Sequence, residues 1–316
     1  MEHITNNNIE QKMPCAVTLG NFDGLHEGHR TLIATAKKYA EEMNMKSVVF
    51  TFNPHPMFFF KNRELNKLIM SRHEKVYAVE KLGVDMFIEY PFEEIASMSP
   101  EDFAIEILFK KLNAKVIVVG DNYRFGSKAK GDPALLTKLG EEYGVKVIVE
   151  NDVYVEGSIV SSTRVRECLV NRDVPTANML LTEPYFMIGT VVKGKELGRQ
   201  FGFPTVNLVA DEDKLFPPNG VYATRVEVKG KLYCGVTNVG INPTVNGTFK
   251  IVETFIFDFN EFIYGEEIKI SFFKWIRNEK KFNGVEELMA EIAKNTAQVK
   301  EYFSTEEFEF WKNKGY

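Results

Sequence analysis

Ten residues, Gly20-Asn21-Phe22-Asp23-Gly24-Leu25-His26-Glu27-Gly28-His29, constrain the fold of this chain more than any other feature. They lie between a short apolar run, Ala16–Leu19, and a helical pattern from about Gly28 to Met43 that places Leu32, Ile33, Ala36 and Ala40 on one side. Glycines let a backbone approach a ligand closely, and a helix N-terminus offers unpaired N–H groups to an anion. Two imidazoles in HxGH spacing at that terminus can donate to phosphate oxygens and stabilise charge that develops during a reaction. A bare tight turn carrying two surface histidines is the competing account. The strand–loop–helix setting favours the anion site.

The rest of the first half keeps the same rhythm. Ser47–Phe52, Val84–Glu89, Lys115–Val119 and Val145–Val149 read as strands, rich in β-branched and apolar residues. Between them Arg72–Leu82, Pro100–Leu112 and Asp132–Tyr143 read as helices, with Ser99 as the N-cap of the second. Strands alternating with helices predict a parallel sheet covered on both faces, with ligands beyond the carboxyl ends of the strands.

From about Glu183 the rhythm changes. Phe186–Val192, Gly220–Val228, Leu232–Val239, Ile251–Phe257 and Glu267–Trp275 follow one another as short strands, with Gly and Pro at the turns. That pattern predicts an antiparallel barrel or sandwich. A helical stretch, Val285–Phe303, and an aromatic-rich piece to Trp311 close the chain. Thr182-Glu183-Pro184 interrupts helix before strand begins, so the expected domains are 1–182 and 183–316.

Composition excludes several classes. With 316 residues, 44% hydrophobic and 13% aromatic, the chain can bury sizeable cores and is not globally disordered. Its 39 basic and 44 acidic side chains leave −5, which argues against a general nucleic-acid binder. Three scattered cysteines, Cys15, Cys168 and Cys234, form neither a disulfide framework nor a zinc knuckle. The N-terminus MEHITNNNIEQKMP lacks a signal-peptide pattern, and no run approaches the roughly 18–20 apolar residues of a membrane helix. The expectation is a cytoplasmic protein with neither membrane nor nucleic acid as partner.

Three further segments carry chemistry in the first half. Asn53-Pro54-His55-Pro56 follows the second strand, where prolines either stiffen a ligand loop or simply turn the chain. Gly120-Asp121-Asn122-Tyr123-Arg124-Phe125-Gly126 follows the fourth strand and offers an acceptor, an aromatic face and a guanidinium; a solvated polar loop is the alternative. Ser161-Ser162-Thr163-Arg164-Val165-Arg166 opens a helix, its hydroxyls serving as caps or, with the arginines, as phosphate ligands.

In the second half, Gly189–Leu208 contains Gly194, Gly198, Arg199, Gly202, Phe203 and Pro204, then Thr205-Val206-Asn207. No GxxxxGK[ST] occurs, so a P-loop kinase is excluded. The glycines could cover a phosphate, with Thr205 and Asn207 as oxygen ligands for Mg²⁺, although Pro-Thr-Val-Asn alone also suits a bent edge strand.

GNFDGLHEGH resembles the signature of the HxGH nucleotidyltransferase superfamily, and its wording is similar to the bacterial bifunctional riboflavin kinase/FAD synthetases. The NPHP, GDNYRFG and SSTRVR segments agree with that family, and Gly194–Asn207 matches its G-x-x-x-G-R-x-x-G-F-P-T-x-N pattern at every fixed position. Phe216–Tyr222 and Asn238–Thr244 also match its kinase module. The resemblance covers nearly the whole chain. It implies a Rossmann-like α/β nucleotidyltransferase domain, then an antiparallel β-barrel riboflavin kinase domain with a C-terminal helix.

The resemblance implies a transferase with two activities, phosphorylation of riboflavin to FMN and adenylylation of FMN to FAD by ATP, with Mg²⁺. His26 and His29 would hold the ATP phosphates. Gly20, Asn21, Phe22, Asp23, Gly24, Asn53, His55, Asp121, Tyr123, Arg124, Ser161, Ser162, Thr163 and Arg166 would complete the nucleotide and flavin pockets. Glu253 aligns with the general base of the kinase. The chain departs from the common pattern at Phe255, where the module has histidine in Glu-x-His, and at Lys193. Two other readings are a monofunctional adenylyltransferase with an impaired kinase domain and a non-catalytic flavin-binding regulator. Intact His26, His29 and Glu253 weigh against the regulator. Assembly into a homo-oligomer is left open by the sequence.

Overall fold

A computed structural model describes residues 1–9, 12–60, 67–194, 204–209, 211–244 and 247–316. The chain packs as two compact units, Met1–Leu68 with Arg72–Ser162, and Ile69–Ser71 with Thr163–Tyr316.

The first unit is a six-stranded parallel sheet. Its strands are β1 (Glu2–Ile4), β2 (Cys15–Leu19), β3 (Lys46–Asn53), β4 (Met86–Pro91), β5 (Ala114–Gly120) and β6 (Lys146–Glu150), in the order β1-β4-β3-β2-β5-β6. All five residues of β2 are buried, as a central strand covered on both faces requires. Helix Glu27–Glu42 turns its Ile33, Ala36 and Ala40 inward. The predicted cap forms, Ser99 accepting from Asp102 N–H at 3.0 Å, and Asp132 caps the helix Pro133–Tyr143 in the same way, accepting from Leu135 N–H at 2.8 Å. The predicted helix from Pro100 differs in kind. It is α-helical only over Pro100–Asp102 and continues as a π-helix over Phe103–Lys111, ending with Leu112 N–H on the Ile107 carbonyl at 2.9 Å. The edge strand β1 and a two-stranded hairpin, β7 (Tyr154–Val155) with β8 (Ser158–Ile159), are too short to leave a periodic signal.

The second unit is a closed antiparallel barrel of β9 (Phe186–Val192), β10 (Thr205–Val209), β11 (Gly220–Val228), β12 (Lys231–Thr244), β13 (Gly247–Ile256) and β14 (Glu267–Arg277). The order is β10-β13-β12-β11-β14-β9. Thr224, Thr237 and Thr254 are fully buried and satisfy one another, with hydroxyl separations of 2.7 and 2.8 Å. Helices Val285–Tyr302 and Glu306–Asn313 cover one side, where Val299, Tyr302, Phe308 and Trp311 pack on Phe257 and Phe273.

Helices Ser162–Val170 and Val174–Leu181 belong with this unit from Thr163 onward. The buried Asn178 side chain donates to the Phe272 carbonyl at 2.9 Å and accepts from Tyr185 N–H at 2.8 Å, tying the second helix to β14. Ile69–Ser71 is held by the buried Lys214, whose ammonium donates to the Ile69 carbonyl at 2.8 Å and lies 4.5 Å from the Tyr185 ring centre.

Candidate active sites

In the first unit the carboxyl end of the sheet opens on a cavity of about 800 Å³, a size suited to a nucleotide or a flavin. The loop after β2 reaches it through a tightly specified backbone. Phe22 and Leu25 both have positive φ, 48° and 44°, and both are completely buried, so packing holds a conformation that bulky side chains avoid. The Asn21 carbonyl accepts from Thr51 Oγ1 at 3.3 Å and from Lys75 Nζ at 2.8 Å. The Asp23 carbonyl accepts from Ser162 Oγ at 2.8 Å. A Cβ on Gly28 would lie 3.3 Å from the His26 ring, so the glycine of HxGH makes room for that imidazole.

His26 caps the helix Glu27–Glu42 without a side-chain cap bond, and its ring stacks on His29 with centres 3.7 Å apart. The Nδ1 atoms of both rings are buried and have no hydrogen-bond partner among the described residues. Burial pushes His26 down to about 4 against the opposing pull of Asp23. Burial also holds His29 well below its ordinary value, helped by repulsion from His26 and Lys75. Two neutral imidazoles at a helix N-terminus each keep a ring nitrogen without a protein partner among the described residues, chemistry that suits an anion.

Of the candidates, Gly20, Asn21, His26, His29, Tyr123, Arg124, Ser161 and Ser162 line the cavity. Phe22, Asp23 and Gly24 do not; they are buried behind it and shape the loop. Asn53 and His55 also lie off the lining, which takes Phe52 and Pro56 from that segment, and His55 Nδ1 accepts from Met57 N–H at 3.1 Å. Asp121 is exposed and its neighbour Asn122 lines the cavity instead. Thr163 is exposed and Arg166 half-buried, both on the helix that Ser162 opens, within the second unit. Sequence reasoning found Tyr123 but missed the rest of the cavity's aromatic wall, Phe52, Phe92, Phe103 and Phe125, which form a connected cluster with it. Only the fold makes these rings neighbours. It missed Lys75 as well, since one lysine in a helical pattern carries no signal.

In the second unit, antiparallel register makes a row. Asn207 on β10 stands opposite Glu253 on β13, which stands opposite Asn238 on β12. Thr205, two residues before Asn207, shares that face and donates its hydroxyl to Glu253 at 2.5 Å. Glu253 is half-buried. Gly194 packs so closely that a Cβ there would lie 2.8 Å from Asn207 Cγ. Pro204 is half-buried and, with Thr205, lines a second cavity of about 280 Å³. Gly198, Arg199, Gly202 and Phe203 lie outside the described residues. Phe255, the departure from the family pattern, packs against the cluster under the C-terminal helices, 5.6 Å from Phe257 between ring centres. Lys193 is exposed.

Threonine, asparagine and glutamate oxygens on one barrel face fit a hard cation that a nucleotide's phosphates also ligate. No group of three or more His, Cys, Asp or Glu side chains suited to a metal occurs among the described residues.

Fold and sites together define a nucleotidyltransferase unit joined to a kinase barrel. A family model for FAD synthetase matches residues 8–164, and one for riboflavin kinase matches residues 181–303. The chain is 36% identical over 293 residues to a bifunctional riboflavin kinase/FMN adenylyltransferase of Haemophilus influenzae, covering 92% of this chain and 95% of that one. It is 37% identical over 304 residues to the protein of that description in Bacillus subtilis, covering 93% and 94%. A crystal structure from Streptococcus pneumoniae, titled a macrolide-efflux protein, superposes with a TM-score of 0.86 at 32% identity, covering 95% of this chain and 99% of that one. Among the described residues of this chain no helix is long and apolar enough to cross a membrane. The chain belongs to the bifunctional riboflavin kinase/FMN adenylyltransferase family.

Proposed function

We propose that this chain makes FAD from riboflavin in two steps, residues 183–316 phosphorylating riboflavin to FMN and residues 1–182 adenylylating FMN. The observation that carries the reading is that each compact unit holds its own polar constellation, the paired imidazoles in one and the Thr205–Glu253–Asn207 face in the other.

In the kinase, Glu253 takes the proton from the riboflavin 5′-hydroxyl as its oxygen bonds to the γ-phosphorus of ATP, and the bond to the bridging oxygen breaks to release ADP. The Thr205 hydroxyl orients the carboxylate that does this. Thr205 and Asn207 would hold Mg²⁺ there, and the ion would neutralise charge on the nucleotide. Gly194 and Pro204 flank the phosphates, and the family pattern assigns Gly198, Arg199, Gly202 and Phe203 to ATP and flavin binding as well.

In the adenylyltransferase, an FMN phosphate oxygen bonds to the α-phosphorus of ATP and pyrophosphate leaves. His26 and His29 donate to ATP phosphate oxygens, each neutral imidazole using the one ring N–H it carries. Catalysis is positioning and charge stabilisation. Asn21, Ser161 and Ser162 bind the triphosphate. The aromatic wall with Tyr123 receives the isoalloxazine, which stacks on rings.

The test is a chromatographic product assay with riboflavin, ATP and Mg²⁺, beside one with FMN. FMN and FAD from the first and FAD from the second are expected, with all product lost on chelating Mg²⁺ and restored by adding it back. FAD from FMN with riboflavin untouched would refute the kinase half.

A further inference from the structure

We infer that Lys75 is a positioning residue of the adenylyl-transfer site, its buried ammonium anchoring the backbone of the phosphate loop from behind. The inference rests on the adenylyltransferase reading of the first unit.

Lys75 comes from the helix Arg72–Lys81, remote in sequence from the loop, and is only 4% exposed. Its Nζ donates to the Asn21 carbonyl at 2.8 Å. The neighbouring Phe22 has φ 48°, so this peptide is where the chain turns into its unfavoured conformation. A buried charge persists only when it is paired and hydrogen-bonded. Burial pushes the Lys75 ammonium below its ordinary value, and Asp23 of the loop and Glu89 of β4, each at most 3% exposed, pull against that. Glu89 is shared, since Arg72 Nε and His3 Nε2 each lie 2.8 Å from its Oε2. Glu74, on the same helix, is fully buried beside Lys75 in sequence.

This ammonium faces His29 as well. Among the described residues, the charged or titratable groups that act on the imidazole pair are Asp23 from the loop and Lys75 from behind, with His26 and His29 stacked on each other. Lys75 opposes protonation of His29. One side chain thus holds the loop's carbonyl and helps keep His29 neutral. A purely structural lysine would do neither selectively.

The experiment uses the full chain, with FAD formation from FMN and ATP as the readout and FMN formation from riboflavin as the control. Lys75→Met keeps the length of the stem and removes the charge. Losing a hydrogen bond to a charged group predicts a fall of about 10- to 150-fold in kcat/KM for FAD formation. The acid limb of its pH profile should move to higher pH, because His29 is freed from a repelling charge. Lys75→Arg should restore part of the rate and return the acid limb toward its original position. Kinase turnover should hold within about twofold, as for an independent site.

Thr51→Val removes the second donor to the same carbonyl at constant charge. It predicts a loss of about two- to fivefold with the pH profile unmoved. Lys75→Met with FAD formation near wild type and an unmoved acid limb would overturn the inference. If Lys75→Met fails to fold, Lys75→Gln decides: a rate of FAD formation near wild type with an unmoved acid limb refutes the inference. Wild-type chain that makes no FAD from FMN would instead refute the reading on which the inference rests.

Discussion

Replacing Gly194 with alanine tests the kinase face through a single atom. A Cβ at that position would lie 2.8 Å from Asn207 Cγ, and closer still to Nδ2. Carbon atoms pack comfortably at about 3.5–4.0 Å, so the Asn207 side chain must retreat by about 1 Å or leave its rotamer. A misplacement of that size costs about 100-fold in rate, or roughly 2.7 kcal/mol. Overpacking adds about 1–3 kcal/mol of destabilisation, read as a lower melting temperature. Initial rates of FMN formation from riboflavin, followed chromatographically, should fall by that factor, and FAD formation from FMN should stay within about twofold. Asn207→Ala supplies the cross-check. It removes both the proposed Mg²⁺ ligand and the atoms that would clash, so adding Gly194→Ala to it should cost little more. Kinase activity retained within about threefold in Gly194→Ala, or a full additional loss in the double variant, would refute the argument that Gly194 serves to seat Asn207.

Reciprocal loss separates the two sites: His29→Ala should abolish FAD formation and spare FMN formation, and Glu253→Gln should do the reverse, so joint loss in a folded variant would sink the two-site assignment. The pH dependence of stability follows from His26, which titrates near 4 in the folded chain against an ordinary 6.5. Between those values the unfolded chain binds a proton that the folded one refuses, so stability is full above about pH 6.5 and falls as the pH drops toward 4, by about 3 kcal/mol for this group. Denaturant melts should show His26→Asn losing less stability than wild type over that window, and equal losses would contradict a buried neutral imidazole. Asn178→Ala should destabilise the barrel unit by about 2–3 kcal/mol, since it strands the Phe272 carbonyl and the Tyr185 N–H in a buried setting; an unchanged melting temperature would count against it.

Much of the architecture was legible because local chemistry specified it. Ser99 and Asp132 cap helices as their types dictate, and β9 and β11 run over the very residues the alternation marked. The loop from Gly20 to His29 was legible for a similar reason: glycines, imidazoles and a helix start occur together within ten residues. Where the site draws on distant segments, the signal vanished. Phe52, Phe92 and Phe103 look like ordinary core residues until β3, the short helix Phe92–Ile95 after β4, and the π-helix bring their rings to one wall. Asn53 and His55 show the opposite case, residues of suggestive type that the loop directs away from the cavity lining.

The sequence by itself determined the two rhythms, the anion loop and the family, because helices, strands, caps and phosphate loops are written in residues that are near neighbours along the chain. Only tertiary structure decided that Asn207, Glu253 and Asn238 form one row, that Phe255 belongs to the helix-covered core, and that Lys75 stands behind the imidazoles. Those relations depend on strand register and on the burial of charge, and both are settled by contacts between residues tens of positions apart.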